Sequence, residues 1–206
     1  ALNSAGILQV QNYPTLRLMG EGVMIGFLDT GIDYQNPVFQ HLDKTTRIAG
    51  IWDQTIQSGT PPESFDYGSH YTPDMINEAL ASEDPYSLVP SVDNNGHGTF
   101  LASIAAGSGD PDAQFIGAAP ESVIAVVKLK QAKQYLRDYY FIPNTAPAFQ
   151  ENDIMLGMRY LHLLAEKLGL PLIFCLALGS NLGGHSGSLP LSIIAQQYTL
   201  LSNRIP

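Results

Sequence analysis

The sequence predicts an α/β fold, an open parallel sheet with helices on both faces, and three observations carry that expectation. Four short apolar runs, residues 23–28, 47–52, 123–129 and 173–178, lack the apolar–polar alternation of half-exposed strands and so read as strands covered on both sides. Segments with helical apolar spacing fall between and after them, an order that puts crossover helices on a parallel sheet. With 206 residues, 45% of them hydrophobic and 14% charged, the chain has the size and composition of one domain with a substantial core.

Each element follows from local chemistry. Residues 1–20 read as irregular, broken by Pro14 and Gly20. The first strand, 23–28, ends in the polar turn Asp29-Thr30-Gly31-Ile32-Asp33, at the carboxyl end of the sheet where open α/β folds place their ligands. After the second strand, residues 53–95 hold seven Gly and Pro breakers between Gly59 and Pro90 and are expected to be mainly loop and peripheral. Two helical turns over 73–81, opened by Thr72, fit within them. A third strand spans 123–129, and the tyrosine-rich stretch 130–150 is again expected to be irregular and peripheral. The pattern Ile154, Met158, Leu161, Ala165, Leu168 predicts a helix over 153–168, with Asn152 as its N-cap and Gly169 as its stop. The fourth strand precedes a glycine-rich loop, 179–188, and a last helix from Pro190 to about Ser202.

The chain is organised around Asn94-Asn95-Gly96-His97-Gly98-Thr99. Gly96 and Gly98 lack a Cβ, which permits a sharp turn and the close approach of another segment. Thr99 is the expected helix cap, with Phe100, Leu101, Ile104 and Ala105 following at helical spacing. A histidine beside a first helical turn feels the positive end of the helix dipole, which favours the neutral imidazole required of a general base.

Charge and composition exclude several classes. Ten basic against 19 acidic residues give a net charge of −9, so nucleic acid is not an expected partner. The basic cluster Lys128, Lys130, Lys133, Arg137 reads as a solvated edge. No run of about eighteen apolar residues is present to span a membrane, and the first residues lack the charged and apolar regions of a signal peptide. The single cysteine, Cys175, cannot form an internal disulfide, and His41, His70, His162 and His185 show no metal-ligand spacing.

Three motifs in order, Asp29-Thr30-Gly31-Ile32-Asp33, Asn95-Gly96-His97-Gly98-Thr99 and Leu176-Ala177-Leu178-Gly179, together with Gly117-Ala118-Ala119-Pro120, resemble the subtilisin-like serine proteases, the subtilases. The resemblance covers nearly the whole chain and implies a subtilisin-like parallel sheet, C-terminally incomplete, as one partial catalytic domain over 1–206. Its finer grain, Thr46-Arg47-Ile48 leading into Trp52-Asp53-Gln54 and the long loops, is similar to the germination-specific subtilases of spore-forming bacteria. By that resemblance a spore-associated or extracytoplasmic setting is expected.

The resemblance implies an Asp-His-Ser triad in which Asp29 orients His97 and His97 moves the proton of a serine. It also implies that Leu178, Gly179 and Ser180 form an edge to which an extended peptide substrate adds as a strand. The 68 residues from Asp29 to His97 are about twice what a minimal core of this kind needs, which marks 53–95, like 130–150, as an insertion. No cofactor is implied. Calcium is the one ion the family raises, and Asp110 with Asp112 supply too few oxygen ligands to define a site.

The family's oxyanion asparagine and nucleophilic serine are expected in sequence beyond Asn203-Arg204-Ile205-Pro206. The expected partners are therefore a peptide or protein, the remainder of the chain, and a second copy paired through an uncovered sheet edge. Two decoys are set aside. Gly184-His185-Ser186-Gly187 mimics a nucleophile motif but follows directly on the substrate-edge strand, and Cys175 lies amid Ile173, Phe174 and Leu176 without a helix start to activate it. The alternative to an active endopeptidase is a pseudoprotease, a binding or signalling module on the same scaffold.

Overall fold

The computed structural model describes residues 2–109, 115–180, 183–184, 186–201 and the backbone of 204–205. In chain order these form α1 (Ile7–Gln11), β1 (Met24–Asp29), β2 (Ile48–Asp53), β3 (Ser69–Tyr71), α2 (Pro73–Ala81), α3 (Pro85–Leu88), α4 (His97–Ala106), β4 (Val123–Lys128), α5 (Gln134–Tyr139), α6 (Glu151–Leu168), β5 (Leu172–Cys175), α7 (Pro190–Thr199) and β6 (Arg204–Ile205). The strands make one sheet in the order β3-β2-β4-β1-β5-β6. Its pairs are parallel except β3, which runs antiparallel to β2 at one edge.

Two apolar layers explain why the runs in the sequence do not alternate. Every residue of β1 is buried. Ile25 and Phe27 face one layer with Ile51, Ile124, Val126 and Ala102 of α4. Met24 and Leu28 face the other with Val127, Met158, Leu161 and Ala165 of α6. Each fully buried aliphatic side chain in such a layer contributes about 1.5–3 kcal/mol. Helix α6 sits close on the sheet because two glycines interlock with leucines. A Cβ on Gly26 would lie 2.7 Å from Leu161, and one on Gly157 would lie 2.7 Å from Leu28.

Several local expectations give way to tertiary contacts. Residues 1–20 include the short helix α1, whose Gln11 is buried and donates to the carbonyl of Gly117 at 2.7 Å. Segment 53–95 adds the edge strand β3 rather than a central one, and it is not peripheral throughout. Ile76, Ala79 and Val89 are wholly buried in the α4-side layer, and the Tyr34 hydroxyl donates to the Val89 carbonyl. Its prolines interrupt long elements without stopping its apolar residues from packing. Thr72 does cap α2, accepting from the Met75 amide. By contrast, α6 starts at Glu151 with Gln150 as its boundary residue, so Asn152 lies inside the first turn and is not the cap. Gly169 ends α6 in the left-handed conformation, φ 67°.

Of the basic cluster only Lys133 is exposed as expected; the other three side chains are drawn inward. Lys128 pairs with the buried Asp53 at 3.3 Å, and Lys130 pairs with Asp153 and lies over the Tyr67 ring. Arg137 is 5% exposed and donates to the carbonyls of Pro143 and Ala146, closing segment 130–150 on itself. Carboxylates and carbonyls supplied by distant segments draw these side chains inward. On the β5 side, the chain's own β6 pairs with Leu172 and Ile173, so that edge is covered at its start.

Candidate active site

Helix α4 is placed by its two ends. At its N-terminus Gly96 takes the left-handed conformation, φ 85°, and turns the chain into the helix at His97. A Cβ on Gly98 would lie 2.2 Å from the carbonyl oxygen of Gly31, so only glycine lets the first turn rest on the segment leaving β1. At its C-terminus the buried Arg47 donates to the Ala106 carbonyl at 2.7 Å and to Ser122 at 2.6 Å. A cation there also complements the helix dipole. Burial, opposed by the charge of Glu121, pushes Arg47 down to about 10, which leaves it protonated near neutrality.

These contacts bring the two triad candidates together at the carboxyl end of the sheet. The Nδ1 atom of His97 lies 2.8 Å from Asp29 Oδ1 and 3.0 Å from Oδ2. The Asp29 side chain is 2% exposed and that of His97 44%. Asp29 Oδ1 also accepts from the Thr30 amide at 2.7 Å. A carboxylate only accepts, so Nδ1 carries the ring proton and Nε2 is left as the basic nitrogen. The arrangement can remove a proton from a group presented to Nε2 and stabilise the resulting imidazolium.

Thr99 is not the helix cap. It sits in the first turn, and the capping group is Asp93, which the sequence reading missed. One carboxylate oxygen of Asp93 accepts from the amides of Asn95 and Gly96 and from the Thr30 hydroxyl. The other accepts from the amide and hydroxyl of Thr99, at 2.9 and 2.7 Å. The signal was present in Asp93-Asn94-Asn95-Gly96, a run of turn-forming residues whose aspartate can bond its own backbone two and three residues on.

The substrate-edge candidates leave β5 beside β1. Because Phe27 pairs with Cys175 in a parallel register, the chain continues through Leu178, Gly179 and Ser180 at the same sheet end as Asp29. The strand itself stops at Cys175, short of the expected 178. Leu178 packs against the α6-side layer, while a Cβ on Gly179 would meet nothing within 4 Å. A hollow of about 280 Å3 is lined by Thr30, Asn95 and Lys128 together with Gln131 and Phe149 of segment 130–150.

Ser186 bonds the Ser188 hydroxyl at 2.7 Å in an exposed loop, and no hydrogen bond joins it to His97. Burial, and then the charge of Asp29, push the Cys175 thiol up, away from the thiolate form a nucleophile needs. Among the described residues no three His, Cys, Asp or Glu side chains gather to hold a metal, and Asp110 and Asp112 lie outside those residues. Nor is any described helix long and apolar enough to cross a membrane.

Fold and site together define an α/β protein with a buried aspartate and a helix-borne histidine hydrogen-bonded at the carboxyl end of a parallel-dominated sheet. Residues 20–155 match the subtilase family, peptidase family S8, and the chain belongs to it. It is 34% identical over 128 residues to the subtilisin-like protease SBT2.2 of Arabidopsis thaliana, an alignment covering 53% of this chain and 15% of that protein. The structure of the Clostridium perfringens CspB protease matches 98% of this chain and 39% of its own, with a TM-score of 0.81 and 34% identity. A psychrophilic protease, S41, shares the fold with a TM-score of 0.53 and 20% identity, covering 94% of this chain and 47% of its own. The chain thus spans less than half the length of each of these relatives.

Proposed function

We propose that this chain is the N-terminal part of the catalytic domain of a subtilisin-like serine endopeptidase, contributing the aspartate and histidine of its triad. The observation that carries the reading is the Nδ1 contact of His97 with buried Asp29, which leaves Nε2 basic at the open end of the sheet. The serine and the oxyanion asparagine come from sequence beyond residue 206. Nε2 accepts the serine proton as Oγ bonds to the scissile carbonyl carbon, then returns it to the departing amine as the C–N bond breaks. Water repeats the cycle and releases the acyl group. Asp29 holds the ring in one tautomer throughout, and these steps draw on side chains alone, without a cofactor.

The peptide lies along Leu178, Gly179 and Ser180, where the open space over Gly179 accepts an extended backbone. The remainder of the chain also covers the apolar groove of about 460 Å3 formed by Ile7, Val10, Ile25, Ala105 and Ile173. We further read the protein as one of the germination-specific subtilases, spore-associated or extracytoplasmic, on Thr46-Arg47-Ile48, Trp52-Asp53-Gln54 and the likeness to the CspB protease.

The test is peptidase activity and active-serine labelling by a fluorophosphonate, on these 206 residues and on the full-length protein. Expected are an inactive, unlabelled 206-residue chain and an active, labelled full-length protein. His97→Ala should remove activity by several orders of magnitude, and Ser186→Ala should leave it unchanged. A folded full-length protein that is neither labelled nor active would overturn the enzyme in favour of the pseudoprotease. Activity of the shorter chain that vanishes with Ser186→Ala would overturn the serine assignment.

A further inference from the structure

We propose that Asp93 is a positioning residue for His97, its negative charge setting the direction of two threonine hydroxyls that hold the helix start against the aspartate strand. The proposal rests on the triad reading above and names a residue outside the triad itself. Five donors converge on one carboxylate: the amides of Asn95, Gly96 and Thr99, and the hydroxyls of Thr30 and Thr99. A carboxylate accepts and cannot donate, so both hydroxyls must spend their single proton on Asp93.

Each hydroxyl is then left with lone pairs only, and each uses one across the site. Thr30 Oγ1 accepts from the Gly98 amide at 3.0 Å, and Thr99 Oγ1 accepts from the Asp33 amide at 2.9 Å. Thr30 and Asp33 flank the exit of the Asp29 strand, while Gly98 and Thr99 follow His97 directly. Asp93 therefore holds in place the two hydroxyl oxygens that accept the bonds joining the residues carrying Asp29 to the residues carrying His97. Burial alone would raise the Asp93 carboxyl; the bonds from Thr99, Gly96 and Thr30 outweigh it and hold the group below the usual carboxylate range. The carboxylate, and the hydroxyl orientation it sets, thus persist through neutral pH.

Asp93→Asn keeps the shape and replaces one acceptor oxygen by an NH2 donor. Either orientation of the amide sets that donor against at least one hydroxyl proton and one backbone amide, so one threonine must turn its O–H away and one amide loses its acceptor, which loosens the seat of the cross-site bond. A shift of the imidazole by about 1 Å is enough to reduce turnover on the order of 100-fold. Asp43 supplies a matched control: it makes the same local pair of bonds, to the Thr45 amide and hydroxyl, on an exposed turn.

The experiment uses the full-length protein with 15N-labelled histidine, in wild type, Asp93→Asn, Thr30→Val, Thr30→Ser and Asp43→Asn forms. Two quantities are read: the Nδ1–H proton resonance of His97, assigned by its loss in His97→Ala, and kcat and KM separately. We expect Asp93→Asn and Thr30→Val to move and broaden that resonance and to lower kcat about 100-fold with KM little changed. Thr30→Ser, which keeps the hydroxyl, and Asp43→Asn should resemble wild type in both. A His97 resonance and kcat unchanged in Asp93→Asn and Thr30→Val would overturn the proposal, as would a loss that Thr30→Ser shares equally with Thr30→Val. If Asp93→Asn fails to fold, the two Thr30 variants decide. Should wild type prove inactive and unlabelled, the triad reading fails by itself, and the His97 resonance still reports whether Asp93 holds the ring.

Discussion

Two glycine-containing segments, residues 93–99 and the described residues of 176–189, are built in opposite ways. In the first, one carboxylate gathers five donors, Gly98 rests on backbone, and His97 is pinned to a buried aspartate. In the second, the strand gives out at Cys175, Gly179 faces open space, and the Ser186 and Ser188 hydroxyls bond each other in an exposed loop. Under the proposed function, the difference separates preorganised from receptive. A proton-transfer pair gains from being held before substrate arrives. An edge that receives an extended peptide must keep its backbone accessible.

The contrast breaks most severely at Gly98. Gly98→Ala would drive a Cβ into the Gly31 backbone at 2.2 Å. We expect about 3 kcal/mol of lost stability, read from denaturant midpoints, with a fall of two or more orders of magnitude in full-length activity. A variant as stable and active as wild type would show that the close approach places nothing. Arg47→Met tests the other end of α4. Removing the guanidinium strands the Ala106 and Ser122 carbonyls, and a loss of about 2–3 kcal/mol is expected. Peptide cleavage by the protein that remains folded should change less than with Gly98→Ala.

A pH effect of smaller size comes from His70, whose ring packs edge-on against Tyr160 at 5.6 Å and whose Nε2 is buried without a partner. Burial, and then the charge of Lys167, lower its pKa, so the folded protein resists the proton that the unfolded chain accepts near 6.5. Stability is therefore complete above that value and declines as pH falls below it. Thermal melts between pH 7.5 and 5 should show the decline, and His70→Phe should flatten it. An unchanged slope would remove His70 from the account. The smallest effect is expected at the receptive segment. Gly179→Ala should alter stability by less than about 0.5 kcal/mol, since its Cβ meets nothing within 4 Å. Under the proposed function it raises KM for peptides while kcat holds, and a large drop in the melting midpoint would show that 176–180 is packed after all.

What the sequence determined by itself was whatever local chemistry dictates. Unalternating apolar runs read as doubly covered strands, as β1, β2 and β4 are while β5 alternates buried with half-buried, and Gly169 ends α6 as its backbone freedom allows. Gly96 and Gly98 already implied a tight turn and a close approach, which are the two constraints they satisfy. Tertiary structure decided which polar groups meet. Thr99 and Asn152 looked like caps because capping propensity is read one residue at a time, yet Asp93 and the start of α6 at Glu151 displaced them. Lys128, Lys130 and Arg137 looked solvated because their partners, Asp53, Asp153 and the carbonyls of Pro143 and Ala146, are distributed along the chain. The 2.8 Å contact of His97 with Asp29 crosses 68 residues, and no local rule aims one side chain at another over that separation. Hydrophobic period and backbone freedom are properties of neighbours in sequence, whereas a hydrogen bond between distant residues exists only once the sheet has brought its strand ends together.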